Sequence, residues 1–169
     1  MVTKLVPRRQ FVAAIGAFLT LPHIAKAKGY IDLEWSDLVP EDAAPLPKAL
    51  QGVVQHDQAS LASQQAPSNG VRDDWNGKIV RLPGFIVPIE YSGVGVSAFI
   101  LVPFVGACVH VPPPPANQLV FVTTQKPYES KGLFEPVNVI GMFGTSASVT
   151  QLAEIGYALS ADRIEPFKP

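Results

Sequence analysis

The sequence is poor in the residues that most enzyme chemistry needs. It has one cysteine, Cys108, and three histidines in 169 residues. A single cysteine excludes an intramolecular disulfide framework and a CxxC redox pair. No HExxH, P-loop or GxGxxG string occurs, so a zincin helix and the common phosphate cradles are absent. No internal repeat is present, which excludes a solenoid. No apolar run reaches the roughly 20 residues needed to cross a bilayer as a helix.

Basic charge is scarce as well, and the start of the chain holds much of it. Arg8 and Arg9 precede a short apolar run ending near Pro22, and Ala25, Lys26 and Ala27 form a small-x-small cleavage pattern. The string PRRQFVA resembles a twin-arginine export signal, S/T-R-R-x-F-L-K, departing from it at Pro7 and Ala13. Residues 1–27 are therefore read as a signal cleaved near Ala27, and the destination as the periplasm. No lipobox cysteine accompanies it, so a lipid anchor is not expected. Of 13 basic and 14 acidic residues, Lys4, Arg8, Arg9 and Lys26 leave with the signal, which holds no acid. The mature chain carries nine bases against fourteen acids, a net charge of −5. Such a domain is a poor ligand for polyanions, so neither nucleic acid nor an anionic membrane surface is an expected partner.

Proline and glycine, by contrast, are plentiful, at 17 and 13 residues. Together with many short Val/Ile/Phe runs they predict an all-β fold. Residues 30–40 alternate Ile31, Leu33 and Trp35 against Asp32, Glu34 and Ser36, which reads as an extended arm packing on the domain. Residues 48–65 have weak helical spacing and run into a polar linker, so 28–74 reads as arm, marginal helix and linker. His56 and Asp57 lie there. The dense β region spans 75–169. Residues 78–90 form one long strand, with a bulge or bend expected at Pro83 and Gly84. A hairpin turn follows at Gly93 and Gly95, then strands at 97–104, 119–124 and 136–143. A helical turn is expected at 150–155, and a broken fifth strand at 157–159 and 163–167. A long first strand bent to serve two sides suits a small five-stranded OB-like barrel; a β-sandwich is the alternative.

The most informative stretch is 99–122. Two apolar strands flank Cys108, His110 and four consecutive prolines, Pro112, Pro113, Pro114 and Pro115. If 107–111 is extended, Cys108 and His110 share a face about 7 Å apart. A thiolate beside an imidazole suits zinc or copper, with His56 as a third ligand if its segment folds over the barrel. The competing reading makes Cys108 a small buried hydrophobe and His110 a satisfied residue at a strand end. The prolines fix φ and lack N–H donors, so they predict a stiff polyproline II segment rather than a strand. Asn117 and Gln118 beyond it either support a ligand or make the turn before the next strand.

The strings DLEWSDLVPED, GKIVRLPGFIVPIE, FILVPFVGACVHVPPPPANQLVFV and GYALSADRIEPF resemble the bacterial envelope family catalogued as domain of unknown function 3299. The resemblance covers essentially the whole mature chain, and GACVHVPPPPANQ is its most specific string. It implies an exported globular domain set beside export or zinc-responsive envelope genes, and it supplies no catalytic residues.

Three functions follow as expectations. The first is a periplasmic accessory domain that binds zinc or copper through Cys108, His110 and His56, or assists an envelope transporter. The second is an interaction module that presents the proline loop (Pro112 to Pro115, Asn117 and Gln118) to an envelope partner. The third is a cysteine-dependent enzyme, for which an i,i+2 strand spacing places the base too far from the nucleophile.

Overall fold

The computed structural model describes residues 29–41, 65–109 and 111–167. The described residues form six strands: β1 (Ile31–Asp32), β2 (Ile79–Ser92), β3 (Gly95–Val102), β4 (Val120–Tyr128), β5 (Pro136–Val149) and β6 (Glu154–Pro166). Two 3-10 turns, Trp35–Leu38 and Ala116–Gln118, are the only helical elements among the described residues. The expected helix over 48–65 falls almost wholly outside them.

The strand order β2-β3-β4-β6-β5 closes on itself through β2 and β5, so the sheet is a five-stranded barrel. Closure rules out the sandwich. Within the ring only β4 and β6 pair in parallel, Val120 with Tyr157 through Thr124 with Ala161. One parallel seam in an otherwise antiparallel Greek-key ring makes the barrel OB-like. The extended arm enters as β1, which adds in parallel to β2 at Val80 and Arg81.

β2 earns its length by changing partner. Ile79 to Phe85 pair with β5, and Phe85 onward pairs with β3. Gly84 sits at the changeover, where a Cβ would lie 2.7 Å from Leu101 Cγ. Pro83 and Gly84 nevertheless keep regular register with Asn138 and Val137. The bulge is further along, between Pro88 and Tyr91, where β2 has already left β5. Pro83 has no N–H to satisfy, and its carbonyl accepts from Trp35 Nε1 at 2.8 Å.

Three other expectations are corrected. The strand expected to end at 124 runs on through Pro127 to Tyr128, across a register shift against β3. The turn at 150–153 is not helical. Thr150 Oγ1 accepts from the N–H groups of Leu152 and Ala153 and donates to Ala153 O, making a tight polar turn. β6 then runs unbroken from Glu154 to Pro166.

Inward-facing Val80, Leu82, Phe99, Leu101, Val120, Val122, Val139, Phe143, Tyr157 and Leu159 fill the barrel. Leu33 and Leu38 join this core from the arm, with Trp35 and Trp75 packed against it. The arm is therefore part of the barrel's interior, held by both apolar and polar contacts. Tyr157 Oη donates to Leu38 O at 2.7 Å and accepts from Arg72 N at 2.7 Å, tying arm and linker to one buried hydroxyl.

Candidate functional site

The connection between β3 and β4 does not extend outward. It folds back across the barrel. Gly106 adopts φ 96° and Cys108 φ 66°, so the chain turns at both positions. Val109 N and Val111 N both donate to Gly106 O, at 3.3 and 3.2 Å. The extended conformation expected over 107–111 is thus replaced by a turn, and the period-two argument for Cys108 and His110 fails with it. Glycine at 106 was the signal available in the sequence, since it permits the left-handed turn that sends the chain back.

The turn places Cys108 in a second apolar cluster on the outer face of the sheet. Val87 of β2, Ile100 and Val102 of β3, Leu119 and Ile155 surround it, with Phe85, Phe104, Phe121 and Phe134 packed alongside. The residue is fully buried. Burial pushes its thiol from an ordinary 9.0 up to about 12, so the sulfur is protonated at neutral pH. A neutral thiol is a poor nucleophile and must lose its proton to ligate a metal. His110 and His56, the other expected ligands, lie outside the described residues. Among the described residues no three His, Cys, Asp or Glu side chains converge as a metal group would require.

The prolines are turned inward. Pro113, Pro114 and Pro115 are buried, and only Pro112 keeps a partly open side. The Pro114 carbonyl accepts from Gln65 Nε2 at 2.8 Å; the same amide bonds both backbone groups of Glu154. Pro115 at φ −51°, ψ 153° delivers the chain into the second 3-10 turn, which holds Asn117 and Gln118. Both are buried, at 4 and 5 % exposure, so neither presents its amide to solvent. Asn117 Nδ2 donates to Gly70 O at 3.0 Å and Gln118 Nε2 to Trp35 O at 2.9 Å. They fasten linker and arm to the barrel.

Two features were not anticipated. Glu135 is buried and accepts from Tyr128 Oη, Ser130 Oγ and Lys131 N, knotting the loop between β4 and β5. Burial, then the bond to Glu135, pushes the Tyr128 phenol up to about 12. Where the parallel strands β4 and β6 part, an open cleft of about 420 Å³ is lined by Lys126, Glu129, Asp162 and Arg163 among others. Lys126 on β4 and Asp162 and Arg163 on β6 lie just past the paired stretch, which ends at Thr124 and Ala161, and only the parallel seam brings them together.

In OB barrels the outer face of the second and third barrel strands takes ligands. Here those strands are β3 and β4, and residues 104–109 occupy that face. Residues 35–166 match the family described as protein of unknown function, DUF3299. The chain belongs to that family. A crystal structure of a DUF3299 family protein from Pseudomonas aeruginosa PAO1 is similar, with TM-score 0.70 and 37 % identity. The likeness covers 84 % of this chain and 99 % of that one. No curated protein matches. The DUF3299 match opens at Trp35, the indole that seats the arm on Pro83, and closes at the last residue of β6. Arm and barrel are one unit of the family.

Proposed function

We propose that this DUF3299 chain is an exported, non-catalytic accessory domain that docks a protein partner in the cell envelope, such as a transporter's periplasmic part. The observation that carries this is the enclosure of Cys108 by hydrocarbon. It removes the thiolate that an enzyme or a soft-metal site needs, while the sheet outside the barrel remains strongly apolar. The negative mature chain further disfavours nucleic acid. Val105, 61 % exposed within the segment over that face, and Leu133, 49 % exposed next to Phe134, supply the apolar contact.

The test is photocrosslinking from position 105 in an exporting cell. A discrete adduct that the same probe at position 94 does not give, and that Leu133→Asp removes, is the expected result. Failure to crosslink from 105 overturns docking. So does zinc or copper uptake by the folded mature protein that Cys108→Ser abolishes, which restores the metal-binding reading with Cys108, His110 and His56.

A further inference from the structure

We propose that Asn69-Gly70 is a site of spontaneous deamidation, and that its isoaspartyl product breaks the hold of Asn117 on the linker. The inference is independent of the docking function.

Four asparagines occur in the chain, and two of them, Asn69 and Asn76, precede glycine. That dipeptide is especially labile, because a residue without Cβ leaves its nitrogen free to attack the preceding side-chain amide. The two sites are alike in several respects. Both asparagines are exposed. Both glycines have positive φ, 102° at Gly70 and 71° at Gly77, with open space where a Cβ would stand. Hydrogen bonding separates them. Asn76 Oδ1 accepts from Thr145 N at 2.6 Å, and Nδ2 donates to Thr145 Oγ1 at 3.1 Å. Gly77 N donates to Phe143 O at 2.9 Å. Electrophile and nucleophile are thus both fastened to β5. Asn69 has no side-chain hydrogen bond among the described residues. Gly70 N makes only a long one, 3.3 Å to the Oγ of exposed Ser68.

The reaction needs water and no oxidant or reductant. The Gly70 nitrogen loses its proton and bonds to Asn69 Cγ, expelling ammonia and closing a succinimide. Water then opens the ring. Cleavage at Cγ gives aspartate. Cleavage at the main-chain carbonyl gives isoaspartate, whose backbone runs through Cβ and Cγ and is one carbon longer. Either product exchanges an amide NH2 for OH and carries a negative charge at neutral pH.

The extra carbon falls in a segment tied at both ends. Gln65 bonds Pro114 O and both backbone groups of Glu154, and Arg72 N donates to Tyr157 Oη. Between these ties, Gly70 O accepts from Nδ2 of the buried Asn117 at 3.0 Å. A longer main chain at 69 moves that carbonyl and strands a buried donor. The aspartate product leaves the main chain as it was.

Peptide mapping of the folded mature protein, held at mildly alkaline pH, tests the site. Conversion at 69 is expected to be at least tenfold faster than at 76, and in strong urea the two rates should converge. Equal rates in the folded protein, or the same disparity in urea, overturn the assignment. The second arm isolates the isoaspartyl form by chromatography and compares its melting with fresh protein and with Asn69→Asp, which carries the charge without the extra carbon. The isoaspartyl form should melt below both. Melting together with Asn69→Asp overturns the lost hold. Asn69→Gln, whose ring closes far more slowly, should age without that loss of stability; an equal loss in this variant refutes position 69 as its source.

Discussion

Cys108 couples two unfavourable conditions, a left-handed backbone and full burial, and each predicts a different response to substitution. Cys108→Ala keeps the small apolar side chain, so its stability is expected to stay within about 1 kcal/mol of the parent. Cys108→Ser places a hydroxyl among hydrocarbon and is expected to cost about 1–3 kcal/mol in denaturant melts. The sign of the pH effect follows from the thiol's elevation to about 12 from an ordinary 9.0. A group whose folded value is raised contributes stability that is fully present below pH 9 and is lost as pH climbs toward 12. Tyr128, also raised to about 12, acts in the same direction. The decline with pH above 9 should therefore be shallower in Cys108→Ala than in the parent, and the difference between the two curves isolates the thiol. At this scale the sequence exposed the residue but not its surroundings. A lone cysteine between apolar strands is conspicuous, yet whether it meets water or hydrocarbon depends on where Gly106 sends the chain.

Elements were more legible than their junctions. The hairpin between β2 and β3 follows from its glycines, and the long β2 follows from an apolar run that proline and glycine punctuate without breaking. The continuity of β6 was hidden because Asp162, Arg163 and Glu165 look like loop, whereas an exposed strand face accepts them. A helical turn was expected over 150–155, but the Thr150 hydroxyl offers the backbone a competing turn. Close approach between β5 and β6 is invisible to any local rule. A Cβ at Gly141 would stand 2.0 Å from Ser160 O and 2.8 Å from Ala161 Cα. Gly141→Ala must part the two strands, and a loss of about 3 kcal/mol is expected by thermal or denaturant melting. The arm gives a second prediction. Tyr157→Phe leaves the Leu38 carbonyl and the Arg72 amide without their shared partner, at a cost of about 1–3 kcal/mol. Hydrogen exchange should show protection lost first in residues 33–38, ahead of β3 and β4.

For the whole molecule, the arm is structural and not an ornament on a self-sufficient barrel. Leu33 and Leu38 belong to the interior core, and Gln118 and Tyr157 reach out from the barrel to grip the arm. A chain beginning at Trp75 lacks those contacts and is expected to melt well below the mature chain, or to bind a hydrophobic dye in the manner of an incompletely packed core. Circular dichroism and dye fluorescence on the two lengths check this. Fold class was readable from composition and strand spacing, because alternation and turn residues are local. The site was not, because it consists of a loop laid over a sheet by contacts between residues far apart in sequence.

The parallel seam has a consequence for how the chain is made. β6 is the neighbour of both β4 and β5, so until residues 154–166 have been synthesised those two strands each present a bare edge. No partial product can be a smaller version of the finished barrel. Nascent chains short of that strand are sticky intermediates in need of chaperoning, and a premature stop codon late in the message is as damaging as one near its beginning.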